Sequence, residues 1–161
     1  MNKEFFRNEE RKKQLYNVLE SWKGTPYRHL GKIKGVAVDC IMVVWETMKE
    51  LGALDAHLPN IPMKRGRIAY PKWASVHSEE EIIFNALRPL PYTVEMKNPK
   101  DSDIKTGDIC CYRFGKSSGH MGIYYEGYLF HSVSKAPALY IIFTERKFRK
   151  RLTSVFRIME H

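Results

Sequence analysis

Cysteine is scarce in this chain. Three residues, Cys40, Cys110 and Cys111, make an odd set among 161, which argues against a disulfide framework. No run is long and apolar enough for a transmembrane helix. The amino terminus, Met1-Asn2-Lys3-Glu4-Phe5-Phe6-Arg7, is too charged for a signal peptide. We therefore expect synthesis in the cytoplasm without a signal peptide, no membrane insertion, and export by another route. Paired zinc-finger ligands, nucleic-acid motifs, internal repeats and low-complexity stretches are missing too. Neither a metal, a cofactor nor specific nucleic-acid binding is expected.

What is present is a basic, core-forming composition. Hydrophobic residues make up 43%, enough for one domain with a sizeable core, and the net charge is +9. The basic residues concentrate at Arg11-Lys12-Lys13 and at Arg146-Lys147-Phe148-Arg149-Lys150-Arg151. Such clusters are either a solvated surface or an attraction to an anionic polymer or an acidic partner.

Apolar spacing predicts a helix over 4–22, stopped by Gly24 and Pro26. A second helix is expected over 40–51, with Asp39 as N-cap and Gly52 as its stop. Residues 53–77 hold Pro59, Pro62, Pro71 and Gly66 and read as a long surface excursion. Ser78-Glu79-Glu80-Glu81 has the capping-box pattern of a short helix reaching about Leu87. Strand patterns then follow at 92–96, 108–113, 120–125, 128–132, 138–144 and 153–159, with Glu126-Gly127 suited to a tight hairpin. In that hairpin His120 starts one strand and His131 ends its partner, so they lie side by side. The vicinal Cys110 and Cys111 would point to opposite faces, with one of them buried and structural. Helices first and antiparallel strands after define an α+β domain.

Cys40 carries the functional reading. A thiol at a helix start faces the positive end of the backbone dipole, which favours thiolate. One cysteine and two histidines supply a nucleophile, a base and an orienting group. The plainer explanations are a small buried cysteine, a turn histidine and a strand-end histidine.

The series Gly24-Thr25-Pro26-Tyr27, Asp39-Cys40, Gly107-Asp108, His120-Met121-Gly122-Ile123-Tyr124 and His131 resembles the NlpC-type cell-wall cysteine peptidases, in matching order over about 15–133. The resemblance implies a single papain-like NlpC-type domain over 1–161, with a proline-containing insertion at about 53–77. It further implies a peptidoglycan stem peptide as substrate, with Cys40 as nucleophile and His120 as base and acid. His131 would orient His120, and Tyr27 and the Cys40 N–H would face the oxyanion. Asp39 would bind the substrate's free amine. A finer likeness is to the phage-tail and gene-transfer-agent branch, through 22–29 and an insert ending Tyr70-Pro71-Lys72-Trp73. It implies a tail-like particle, with other tail proteins as partners, acting in the wall or periplasm. The chain departs from the family in having Ile41-Met42 where Ser-Gly is usual, and in lacking twin glycines, of which Gly31 is the nearest remnant. Two alternatives stay open. One is a structural tail protein that keeps the fold with little or no turnover, and the other is an amidase or acyltransferase on a non-wall substrate.

Overall fold

A computed structural model describes residues 2–72 and 79–161. Helix α1 spans Glu9–Trp22 and is capped by Asn8, whose side chain accepts from the Arg11 N–H. It starts later than the apolar spacing predicts. Phe5 and Phe6 are buried in the core instead, and Glu4 bridges to Met159. A hairpin of β1 (Lys32–Ile33) and β2 (Ala37–Val38) leads into helix α2, Cys40–Glu50. Asp39 caps α2 as expected, and Gly52 has the positive φ of +69° suited to the residue after a helix.

The insertion carries a hairpin of its own. Strands β3 (Met63–Lys64) and β4 (Arg67–Ile68) flank Arg65-Gly66, both at positive φ, a backbone that matches strand twist. Helix α3 spans Ile82–Leu87. The expected cap at Ser78 lies outside the described residues, as do Trp73 and His77.

Six strands form one antiparallel sheet: β5 (Thr93–Lys97), β6 (Ile109–Tyr112), β7 (His120–Tyr125), β8 (Tyr128–His131), β9 (Leu139–Ile142) and β10 (Leu152–Ile158). Their spatial order is β5-β10-β6-β7-β8-β9. Each lies within two residues of its expected position. The turn between β7 and β8 is Glu126-Gly127, with φ of 46° and 89°, as a two-residue hairpin needs. A short helix α4, Arg146–Arg149, occupies the basic run before β10 and is capped by Glu145.

Helix α2 packs on β7 and β8, and α1 packs on α2. This face holds the main core, including Leu19, Val43, Met48, Cys111, Ile123 and Phe130. A smaller core covers the opposite face, with Cys110, Tyr112, Leu129, Phe143, Leu152 and Val155. The sheet is thus covered on both sides. That corrects the expectation for the vicinal cysteines: they do face opposite ways, but both are buried. Burial pushes both thiols up, away from thiolate.

Candidate active site

Cys40 is the first residue of α2, and Asp39 is what starts that helix there. Its Oδ1 accepts from the N–H groups of Ile41 at 3.1 Å and Met42 at 2.8 Å. Its Oδ2 accepts from the Leu30 N–H at 2.7 Å and the Tyr70 hydroxyl at 2.5 Å. With both oxygens engaged and 1% of the residue exposed, Asp39 binds the 27–30 loop, the insertion and α2 to one point. His29 joins the cluster. Its Nδ1 lies 3.7 Å from Asp39 Oδ2, and its Nε2 is 3.0 Å from the Tyr70 carbonyl.

Tyr27 is held beside Cys40 by the backbone. A parallel bridge joins it to Val38, closed by Val38 N–H to Pro26 O at 3.0 Å and Arg28 N–H to Val38 O at 3.1 Å. Gly31 lets this loop close, because a Cβ there would sit 2.7 Å from the Ala37 carbonyl carbon. The remaining glycine of the expected motif therefore has a packing role. Ser132, just beyond β8, donates to Val38 O at 3.2 Å and ties the same segment to the sheet.

The histidines meet at the end of the β7–β8 ladder. His120 Nε2 lies 2.9 Å from His131 Nδ1. In the tautomer with the His120 Nε2–H donating, His120 Nδ1 keeps its lone pair and can accept a proton. Phe148 packs on both rings, with centroids 5.7 Å from His120 and 4.8 Å from His131. Phe114 stands edge-on to His120 at 5.8 Å.

Cys40, Tyr27, Asp39 and His120 all line one cleft of about 480 Å³. His131 stands behind His120, 1% exposed. The structure thus brings four of the five expected site residues to one cavity and puts the fifth in hydrogen-bond contact with it. Sequence reasoning gave no role to His29, Tyr70, Phe114 or Phe148. Tyr70 stood in the insert motif and His29 in the motif loop, so their positions were visible. The phenylalanines carried no local signal.

The protonation balance differs from the expectation for a helix start. Cys40 is pushed up to about 12, first by burial and then by the Asp39 charge. The N–H groups of Met121, Cys40 and Ile41 oppose the shift and do not overcome it. Burial, with the His131 charge second, takes His120 down to about 3. Burial alone takes His131 down to about 4. Tyr27 is raised to about 12 by burial and by the Cys40 and Asp39 charges. These shifts favour a neutral thiol and neutral imidazoles, and the thiol points at the Gly119 carbonyl, 3.6 Å away. Among the described residues, no group of three or more His, Cys, Asp or Glu side chains is placed to hold a metal ion. No described helix is long and apolar enough to cross a membrane.

No protein-family model and no curated protein matches the sequence. Solved structures do match the fold. A lipoprotein-like protein of the NLP/P60 family from Staphylococcus aureus aligns over 99% of this chain and 44% of its own, with TM-score 0.62 and 15% identity. The NlpC/p60 domain of the peptidoglycan hydrolase SagA aligns over 91% and 97%, with TM-score 0.51 and 12% identity. NlpC1 from Trichomonas vaginalis aligns over 98% and 48%, with TM-score 0.57 and 14% identity. The chain therefore spans less than half of the Staphylococcus and Trichomonas proteins and nearly all of the SagA domain. From the sheet order, the packed helices and these alignments, the chain has the α+β papain-like fold of NlpC/P60 domains.

Proposed function

We propose that this chain is a cysteine peptidase that cuts amide bonds in peptidoglycan stem peptides. The observation that carries this reading is Cys40 at the head of α2, in one cleft with a His120 that is itself paired to His131. The SagA likeness supports the substrate class.

In this chemistry His120 Nδ1 takes the thiol proton while Sγ bonds to the carbonyl carbon. The C=O pair moves to oxygen, which the Cys40 N–H and the Tyr27 hydroxyl face. Collapse of that intermediate expels the amine, which takes the proton from His120. Water activated by His120 then hydrolyses the thioester. A thiol raised to about 12 beside an imidazole lowered to about 3 makes proton transfer between the two side chains uphill on its own. The transfer is therefore coupled to C–S bond formation rather than completed beforehand. Because Asp39 is fully engaged, an amine reaches it only if Tyr70 or His29 gives way.

Delivery by a phage-type tail, with neighbouring tail proteins and action in the wall or periplasm, is the finer reading. Its support is the 22–29 motif and the proline-containing insert. A second reading is an amidase or acyltransferase on an apolar substrate. It is favoured by the cleft walls Ile41, Ile82, Ile83, Val133 and Phe114.

Purified peptidoglycan of several wall chemistries, incubated with the protein and analysed by mass spectrometry, tests the main reading. Stem-peptide fragments released by the wild type and absent with Cys40→Ala are expected. Identical fragment profiles from the two proteins would remove it, and turnover confined to lipid amides would favour the second reading.

A further inference from the structure

Phe148 stands between α4 and the histidine pair, where the sequence shows only a basic run. Its ring meets His131 at 77° and 4.8 Å, close to edge-on, and His120 at 44° and 5.7 Å. It also meets Tyr112 at 5.9 Å and Phe114 at 5.3 Å. Aromatic rings in such tilted and edge-on contacts hold one another in preferred orientations. One side chain thus contacts both members of the pair and two further rings.

The ring is itself held firmly. Glu145 Oε2 accepts from the Phe148 N–H at 3.2 Å, and the Phe148 carbonyl accepts from the Arg151 N–H at 2.8 Å. Next to it, Arg149 Nε donates to Asp101 Oδ1 at 2.6 Å and its Nη2 to Pro99 O at 3.1 Å. Helix α4 is thereby fastened to the loop before β6, with Phe148 turned toward the sheet and the cleft.

The titratable and charged groups around the pair come from several elements. They are the two imidazoles themselves, Tyr112 of β6, Cys40 and Asp39 at the head of α2, and Lys147 beside Phe148. Tyr27, His29, Tyr70, Lys72 and Glu80 line the rest of the cleft. Burial is nevertheless the first cause of the downward shift in both histidines, and Phe148 is the apolar side chain in ring contact with both.

We propose that Phe148 is the positioning residue of the histidine pair, fixing the mutual tilt of the two imidazoles and shielding them from water on the α4 side. It acts through His120 and His131. The proposal concerns the pair used in the proposed peptidase chemistry, but it is measured on the imidazoles and stands or falls without turnover.

The test is an NMR titration of the histidine Cε1–H signals in the wild type and four variants, with folding checked by near-UV circular dichroism. Phe148→Ala is expected to raise both midpoints by about one pH unit or more, toward the ordinary value. Phe148→Leu, which keeps apolar bulk, is expected to raise them by about half a unit. Phe148→Tyr keeps the ring and is expected to leave them in place. Phe143→Leu alters the same small core away from the histidines and is expected to leave them in place as well. Should Phe148→Ala fail to fold, Phe148→Leu decides. The proposal is overturned if a folded Phe148 variant lacking the ring keeps both midpoints, or if Phe143→Leu moves them equally. A wild type that cuts no peptidoglycan yet shows the expected shifts would sink the peptidase reading and leave this one standing.

Discussion

Replacing Asp39 by alanine removes more than a helix cap. The carboxylate accepts four hydrogen bonds, two within α2 and one each from the Leu30 N–H and the Tyr70 hydroxyl. Loss of an N-cap costs about 1 kcal/mol. A buried charge-assisted bond contributes about 1.5–3 kcal/mol, and a donor left without an acceptor adds its desolvation penalty. Against this stands the relief of an anion buried to 1% exposure. The net expectation for Asp39→Ala is a loss of about 3–5 kcal/mol, a large share of an ordinary domain's stability. Urea unfolding followed by tryptophan fluorescence reads it as a lower midpoint at unchanged slope. Tyr70→Phe removes one of the four bonds and is expected to cost about 1.5 kcal/mol. The same variants carry a chemical signature. With the Asp39 charge gone, the Cys40 thiol loses the second cause of its upward shift. Alkylation of Asp39→Ala therefore begins at lower pH than in the wild type. A cost below about 1 kcal/mol for Asp39→Ala, equal to that of Tyr70→Phe, would refute the view that this carboxylate fastens three segments together.

Three further outcomes follow from the same geometry. In the wild type, iodoacetamide is expected to label Cys40 slowly at pH 7.5, with a rate still rising above pH 9, since the thiol sits at about 12; a plateau reached by pH 8 would contradict this. His131 sits at about 4 in the fold, against 6.5 for an ordinary imidazole. The unfolded chain then binds more protons between those values, so stability is whole above pH 6.5 and falls as the pH drops toward 4. His131 accounts for about 3 kcal/mol of that fall, and His120, taken down to about 3, adds its own share; chemical denaturation across this window measures the total, and His131→Leu is expected to make the fall smaller without abolishing it. Arg157 donates to both oxygens of the buried Asp108, from Nε at 2.9 Å and Nη2 at 2.7 Å, so Arg157→Ala is expected to cost about 3–5 kcal/mol. Burial already raises Asp108 despite that partner, so the loss should shrink at low pH, where Asp108 takes up a proton; a pH-independent loss in urea unfolding would argue otherwise.

Local rules made much of this fold readable. Asp39 before an apolar helical run predicts the cap and start of α2, and both are found. Glu126-Gly127 between apolar runs predicts the hairpin that places His120 beside His131, because antiparallel pairing leaves little freedom there. What could not be read is mostly tertiary. The start of α1 moves to Glu9 because Phe5 and Phe6 are needed in the core, a demand set by distant strands. Strands β1 to β4 are two residues each, too short to show a period. Residues 146–149 read as charge alone, because a four-residue helix is too short to show a period and the contacts of Phe148 are tertiary. At the site, the residue types were visible but the electrostatic balance was not. A helix start favours thiolate locally, while burial and the capping Asp39 act through the assembled cleft and outweigh it.

The two-sided cover of the sheet makes this chain its own stopwatch. Of its three thiols, Cys40 opens on the cleft, while Cys110 and Cys111 are sealed on opposite faces of β6. Above pH 9, where the Cys40 thiol reacts faster, a small thiol reagent should mark that position first and the other two only when the middle of the sheet parts. The delay between the first mark and the later two is then the lifetime of the closed sheet. Because the late pair looks in opposite directions, their separate delays tell which face opens first.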